Sequence, residues 1–539
     1  MDHMQEAVLR DKATDILYPL FLGQFFGIVL TALTFVVVAR LLGPVDYGLY
    51  VFAFGFATTV NSFAAFGIGA YFSNTLAKLS YNKDGEGILR TLNTGYILLI
   101  TVGLILTFLG IALSGVVARF YSNVGVGTEV LMLAAATIIF TMVNMASVSA
   151  LIGFSRADLA SITNVVTDLI QLGLSVVLTI KFGVIGAVAG MLVGYVVGAV
   201  LGSYFVYVAS SKYSKFRITI PTYAHLKEVF SYVSPIAATL FLNNGMQSFS
   251  ILFLGLYVTT AALGNYGAAS RGLALLAMVY STLGSGLYPI FTTAKAMDHE
   301  GRVTSTYNRI IHFAIMLMLP LVVYVGAMSA PALFLLVSSS YTSAPWYLTL
   351  IAGGTAIGLF GNYINNLLIS EGYTKSVLKV NAISGILQLV LMVLLVPYYP
   401  DHVVGAILAI FYFGNLIEAW VFAQEAGDKL NMRFEYKKLT MLYIGNLIFG
   451  ILLAGLLVLM NNSLVLNSNS IKWIIELAAG AIVSIAIYPP ILVLMRALSW
   501  HDIRNMRYAT SRLGVVGGVF STFFDYSEYV YVKLMRRIE

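Results

Sequence analysis

The sequence predicts an all-α polytopic membrane protein of about 14 transmembrane helices, built as two six-helix lobes related by a parallel repeat plus two extra C-terminal helices. Three observations carry this expectation. Of 539 residues, 59% are hydrophobic and only 10% charged, whereas soluble domains hold about 45 to 50% and about 25%; no aqueous core hides that much apolar surface with so few charges left to cover it. The apolar residues fall in runs long enough to cross about 30 Å of hydrocarbon as helix. The basic residues between the runs alternate between many and few from one loop to the next.

In chain order the spans run over 16–39, 47–72, 92–118, 130–153, 159–180, 184–209, 229–257, 261–290, 310–336, 346–369, 377–397, 402–424, 439–460 and 471–495. Arg10, Asp11, Lys12 and Asp15 precede the first span and no small-residue cleavage pattern follows it, so it reads as a retained helix behind a cytoplasmic tail, 1–15. Spans 1 to 6 form an N-lobe, 16–210, and spans 7 to 12 a C-lobe, 229–424, with a cytoplasmic connection at 211–228. Spans 13 and 14 occupy 439–495. The tail, 496–539, mixes basic residues (Arg504, Arg507, Arg512, Lys533, Arg536, Arg537) with aromatic ones (Trp500, Phe523, Phe524, Tyr526, Tyr529, Tyr531). That mixture suits an amphipathic segment lying on an anionic leaflet.

Loop charge orients the chain. Of 31 Lys and Arg, 26 fall in the two tails, in the loops after even-numbered spans or, for Lys379, at the adjoining end of span 11, and only Arg40, Arg119, Lys181 and Lys472 fall on the other side. Cytoplasmic loops carry the excess of basic residues, so both termini are expected in the cytoplasm and the protein in the cell (plasma or inner) membrane. This placement also accounts for the net charge of +7 without a nucleic-acid partner.

The halves repeat one another. Leu42-Gly43-Pro44-Val45-Asp46-Tyr47-Gly48 matches Leu263-Gly264-Asn265-Tyr266-Gly267 with two residues removed, and Asp84-Gly85-Glu86-Gly87 matches Asp298-His299-Glu300-Gly301. Asn164 to Gln171-Leu172 has the spacing of Asn381 to Gln388-Leu389, and Val184-Ile185-Gly186-Ala187 matches Val403-Val404-Gly405-Ala406. All offsets lie between 214 and 221 residues, so one six-helix unit is duplicated. Six is even, so both copies enter from the same side and the repeat axis runs along the membrane normal.

Several chemistries are excluded. There is no cysteine for a disulfide, thiolate site or nucleophile, and no histidine has a second histidine at i+3 or i+4. No Gly-Lys dipeptide occurs, so no Walker A loop drives an internal motor. The loops are too short for a soluble catalytic domain. A non-enzymatic transporter without cofactor is expected, with H⁺ or Na⁺ as the candidate coupling ion.

Polar groups inside the spans are the candidates for function, because burying a charge there costs between about 2.5 and about 17 kcal/mol. Arg271, in span 8, is read as an anion-binding side chain facing a wet cavity, since guanidinium grips phosphate oxygens bidentately; the alternative is an arginine tied to neighbouring carbonyls. Asp168, at the middle of span 5, is the ion-coupling candidate, with a helix–helix hydrogen bond as the alternative. Asn243, Gln247 and Ser250 share one face of span 7, beside Asn244 and Ser248, and line a cavity or bond neighbouring helices. Arg40 and Asp46 bracket the Gly43-Pro44 turn as a candidate outer gate, or as helix-end caps. Glu418, near the inner end of span 12, is placed within reach of the headgroups. The sequon Asn461-Asn462-Ser463 sits too close to span 13 for ready glycosylation.

At Arg40-Leu41-Leu42-Gly43-Pro44-Val45-Asp46-Tyr47-Gly48 and Leu263-Gly264-Asn265-Tyr266-Gly267-Ala268-Ala269-Ser270-Arg271 the sequence resembles the polysaccharide-unit (Wzx-type) flippases of the multidrug/oligosaccharidyl-lipid/polysaccharide exporter superfamily. The resemblance covers the whole chain. It implies a V-shaped pair of six-helix lobes and export of lipid-linked oligosaccharide, with an anionic phosphate-type headgroup, from the cytoplasmic to the outer leaflet. Membrane lipid and a glycan assembly machinery are the expected partners. The related lipid II flippases carry a cavity arginine on helix 8, similar in position to Arg271, and charge on helix 1; here no charge lies between Ile16 and Ala39. A multidrug or organic-cation antiporter of the same superfamily, and a non-transporting envelope scaffold or scramblase, are the alternative functions.

Overall fold

The computed structural model describes residues 2–64, 67–121, 125–214, 221–240, 246–273, 303–399, 402–463, 468–498 and 524–533, with 217, 287, 291, 500 and 503 as isolated positions. These residues are almost entirely helical. By contact the chain divides into Met1–Arg271 with Val393–Val404, and Gly272–Met392 with Gly405–Glu539. The division does not follow the boundary of the sequence repeat, because the span 7 segments and the first part of span 8 pack with the N-terminal helices.

The first unit opens with α1, Asp2–Ala64, a helical run that leaves helical geometry at Gly43, where φ is 71° and ψ 176°. Only glycine holds that conformation cheaply. Pro44 follows it, pushing the preceding residue out of the helical region and starting the next helix without a wasted donor. Spans 1 and 2 are thus the two arms of α1. Helix α5, Ala157–Ser210, does the same at Gly183, with φ 57° and ψ −133°, and its arms are spans 5 and 6. Between them lie α2 (Ile68–Tyr81), α3 (Gly85–Phe120) and α4 (Thr128–Gly153). Asp84 caps α3 by accepting from the Gly87 N–H at 2.9 Å. The unit continues with α6 (Tyr223–Leu240), α7 (Met246–Gly255) and α8, residues 260–273.

Lipid gives no hydrophobic reason for one helix to prefer another, so close backbone approach and polar contacts must hold a bundle together. The arms of α5 show how. Gly186, Gly190, Gly194, Gly198 and Gly202 recur every fourth residue along the second arm, and Thr163, Thr167, Gln171, Ser175 and Thr179 recur every fourth residue, buried, along the first. A Cβ added at Gly190, Gly194 or Gly198 would overlap Ser175, Gln171 or Thr167 respectively. Helix α4 joins the same seam, where the Tyr96 hydroxyl of α3 meets the Ser147 hydroxyl at 2.7 Å.

The second unit contains α9 (Val303–Ala327), α10 (Ser329–Leu336), α11 (Ala344–Ser370), α12 (Thr374–Leu395), α13 (Val403–Leu430), α14 (Tyr436–Ser463) and α15 (Asn469–Leu494). Span 9 is therefore broken in two near Met328. Tyrosine hydroxyls donate to backbone carbonyls across its crossings: Tyr324 to Leu477 at 2.8 Å, Tyr443 to Ala356 at 3.0 Å and Tyr488 to Met316 at 3.0 Å. The repeat is visible in the packing, since Gln388 is buried against Gly414 as Gln171 is against Gly194. In the tail, residues 524–533 form α16, with Phe524, Ser527 and Val530 buried on one face and Tyr529 exposed on the other. Tyr526 ties it to α15 through the Ala486 carbonyl at 3.0 Å.

Among the described residues ten helices are long and apolar enough to cross a membrane, and two of the ten turn on a glycine and supply two passes each. Spans 7 and 8 fall on α6, α7 and α8, with 241–245 and most of 274–302 outside the described residues. The count of fourteen stays an expectation; the all-helical, multi-pass architecture is what the structure has.

Candidate functional site

Arg271 lies eleven residues into α8 from Thr260, or about 16 Å along the axis. The first arm of α1 brings Phe35 to it, and the second brings Tyr47, Tyr50 and Phe54, spaced to share one helical face. The guanidinium carbon sits 3.8 Å from the Phe35 ring centroid and 4.7 Å from that of Phe54. Those two rings meet edge to face, 5.5 Å apart at 87°. Tyr50 packs on Phe35 at 5.9 Å and stacks on Tyr47, also at 5.9 Å. Tyr47, Tyr50 and Tyr195 all lie within electrostatic reach of the guanidinium.

The clamp shows how the side chain is held, which the sequence alone left open. The side chain is held by ring faces, whose π-electrons attract the cation without neutralising it. Among the described residues no carboxylate or carbonyl takes any of its five N–H groups. The Tyr50 hydroxyl is likewise fully buried with no hydrogen-bond partner among them.

The clamp is held by the motif that repeats in sequence. Gly48 on the second arm of α1 backs onto the Thr260 carbonyl, and Gly264 on α8 backs onto the Pro44 carbonyl, so neither position has room for a Cβ. Gly55 against Ile251, and Gly255 against Phe52, continue the crossing into α7. The backbones are in contact at the end that loop charge assigns to the outer surface, and Arg271 lies two turns further in.

Asp168, on the first arm of α5, is hydrogen-bonded to Thr31 of α1. It sits behind Gly27, where a Cβ would come within 3.0 Å of Oδ2. Thr31 and Phe35 are one turn apart on the same face of α1, so the two charges singled out independently in the sequence contact successive turns of one helix. Tyr195, which the sequence did not distinguish, lies within electrostatic reach of both.

Arg40 and Asp46 are exposed on either side of Gly43. Asn243 and Asn244 lie outside the described residues, as does the side chain of Gln247, although its backbone belongs to α7. Ser250, from the same stripe, is buried. Glu418 sits twelve residues from the end of α13, about 18 Å along the axis, and accepts a hydrogen bond from the Ser384 hydroxyl of α12 at 3.0 Å. The helix continues past the apolar stretch as a charged segment that includes Glu425, Asp428 and Lys429.

The profile of a family described as polysaccharide biosynthesis protein matches residues 37–345, more than half of the chain. The chain belongs to this family. The matched region begins in α1 beside the clamp and includes Gly43, Asp168 and Arg271. No curated protein matches the sequence. Among solved structures, the fold is similar to that of the lipid II flippase MurJ in an inward closed conformation, with a TM-score of 0.67 and 15% identity over 88% of this chain and 98% of that one. It is also similar to a multidrug resistance MATE family transporter of the MOP superfamily in its inward-facing conformation, with a TM-score of 0.63 and 17% identity over 75% of this chain and 94% of the other. At that identity the likeness establishes the fold alone, a multi-pass helical membrane architecture.

Proposed function

We propose that the protein is a secondary-active flippase that carries lipid-linked oligosaccharide, on a polyprenyl or dolichyl phosphate-type lipid, from the cytoplasmic to the outer leaflet by alternating access. In this reading it sits in the cell membrane with both termini cytoplasmic. The observation that carries the proposal is the Arg271 clamp: a guanidinium held by Phe35 and Phe54 at 3.8 and 4.7 Å, with its N–H groups unspent among the described residues. Such a group is preorganised for a bidentate grip on phosphate oxygens. An organic cation would be repelled by it, and no carboxylate among the described residues pairs with Arg271 to offset that, which disfavours the antiporter reading. Membership of a polysaccharide biosynthesis family supports a glycan on the lipid.

Asp168 is the proposed site of H⁺ or Na⁺ coupling, because its contact with Thr31 lies one helical turn from the ring that clamps Arg271. Arg40 and Asp46 remain the proposed outer gate, and Asn243, Asn244 and Gln247 the proposed polar lining. The test is uptake of radiolabelled lipid-linked oligosaccharide into proteoliposomes, with Arg271→Ala as the variant and fluorescent dye efflux as the contrast. Loss of lipid translocation by a folded Arg271→Ala protein is expected. Dye efflux by the wild type, with no movement of glycolipid, would replace the flippase by an antiporter.

A further inference from the structure

The second unit holds a polar cleft that the Arg271 site does not use. It has a volume of about 190 Å³ and is lined by Thr355, Gly358 and Asn362 of α11 and by Asn415 and Glu418 of α13, with Leu359 and Gly361 at its edge. Gly358 and Gly361 bring the two helices together here, since a Cβ at Gly361 would lie 3.0 Å from the Ala419 Cα and one at Gly358 would lie 3.3 Å from the Asn415 amide nitrogen.

Hydrogen-bond accounting shows what the cleft offers. The Thr355 hydroxyl donates away from it to the Ile351 carbonyl at 3.0 Å, and Asn415 Nδ2 donates to the Gly354 carbonyl at 3.0 Å. Glu418 Oε2 is occupied by Ser384 at 3.0 Å, which in turn accepts from Gln388 Nε2 at 3.2 Å. What remains is mostly acceptors: Thr355 Oγ1, Asn415 Oδ1 and Glu418 Oε1, with the Asn362 amide supplying two N–H donors beside them. Gln388 and Ser384 fix the carboxylate in place, as an outer row of residues does for a binding group.

The repeat shows that helix packing alone does not account for this arrangement. Glu418 is 220 residues after Gly198, Asn362 is 218 after Asn144 and Ser384 is 217 after Thr167, all within the register of the duplication. In the first copy Gly198 backs directly onto Thr167 and Asn144, leaving no room for a Cβ. The same crossing therefore closes perfectly well on a glycine. In the second copy a carboxylate stands at that position, with two asparagines and a threonine around the resulting space.

We propose that this cleft binds one sugar ring of the transported glycan through its hydroxyl groups, an inference that rests on the flippase reading. Hydroxyls donate to the three free acceptors and accept from Asn362, and glycine-backed walls let a ring lie flat. At about 190 Å³, the cleft has room for a sugar ring. A bare cation is the competing occupant; it would need several of these oxygens to converge at about 2.0 to 2.6 Å.

The test uses the full chain in nanodiscs, probed by saturation-transfer NMR with the methyl glycosides of glucose, galactose, mannose and N-acetylglucosamine. At least one glycoside is expected to receive saturation on its ring protons, and Glu418→Gln and Asn362→Leu are each expected to weaken it roughly tenfold, the loss of one strong hydrogen bond. No binding of any glycoside to the wild type overturns the proposal, whatever the variants do. So does binding that both folded variants retain. Thermal protection of the wild type by NaCl over choline chloride that vanishes in Glu418→Gln, without sugar binding, would make the cleft a cation site. Translocation of the polyprenyl lipid with and without its glycan separates this inference from the one beneath it: if the flippase reading fails, the wild type moves neither lipid, whereas if only the cleft is misassigned, both variants move the glycosylated lipid at the wild-type rate.

Discussion

Arg271→Lys keeps the charge and discards the fork, which makes it the sharpest probe of the clamp. A lysine ammonium is a point charge that offers phosphate no parallel pair of donors. The expected loss is one charge-assisted hydrogen bond, about 1.5 to 3 kcal/mol, which is a translocation rate lower by about 10- to 150-fold. The ring faces add a second, separable quantity. Phe35 is the nearer, at 3.8 Å from the guanidinium carbon, and replacing it with leucine removes about 1 kcal/mol of cation–π attraction, roughly fivefold in rate. In the Arg271→Lys background the same Phe35→Leu change should cost less, because the planar stack is already gone, so the two substitutions should be non-additive. The assay is initial-rate translocation of a fluorescent lipid-linked oligosaccharide in proteoliposomes, read by access of an impermeant quencher. Wild-type rates in Arg271→Lys would refute the bidentate grip, and strictly additive effects of the two substitutions would refute the clamp.

Asp168→Asn should abolish dependence of translocation on a proton or sodium gradient while leaving lipid binding intact; unchanged gradient dependence would make the Thr31 contact purely structural. Gly194→Leu should lower the melting temperature in detergent, since its Cβ would fall 2.8 Å from the Gln171 Cβ and such overpacking costs about 1 to 3 kcal/mol. Gly173→Leu, where a Cβ meets nothing within 4 Å, is the control expected to melt with the wild type. Cysteines placed at Asp46 and Asn265 in this naturally Cys-free chain, joined by a short bifunctional maleimide, should hold the Gly48–Gly264 crossing shut and stop transport; full cross-linking with normal transport would remove that crossing from the cycle.

The apolar, all-helical architecture and the Gly43-Pro44 turn were legible because they rest on local chemistry: runs of apolar residues, and a glycine-proline break between two of them; at Gly183 the sequence showed only the gap between spans 5 and 6. Arg271 and Asp168 were legible because a charge in a span is conspicuous. Their surroundings were not. Phe35 and Phe54 are aromatic residues in apolar spans, and nothing in their sequence distinguishes a ring facing lipid from one facing a guanidinium more than 200 residues away. The Glu418 contact was hidden for a related reason: its partner Ser384 lies 34 residues earlier, on another helix. The glycine ladder of α5 was open to reading, since five glycines at four-residue spacing face a threonine- and serine-rich stripe in the preceding arm. That signal needs two helices considered together.

The α5 seam also has a mechanical consequence. Where glycine backbone rests directly on a neighbouring helix, no long side chains intervene to change rotamer or slide, and the crossing has few soft modes. The two arms of α5, with α4 laid against them, therefore form a stiff plate that transmits displacement from one end to the other without absorbing it. Helices whose hydrogen-bond ladders are interrupted by proline are the places left to bend: α1 at Pro19, α6 at Pro235, α9 at Pro320 and α15 at Pro489 and Pro490. A chain built this way is expected to bend at those points and to carry the seam of Thr163, Thr167, Gln171 and Ser175 as one piece.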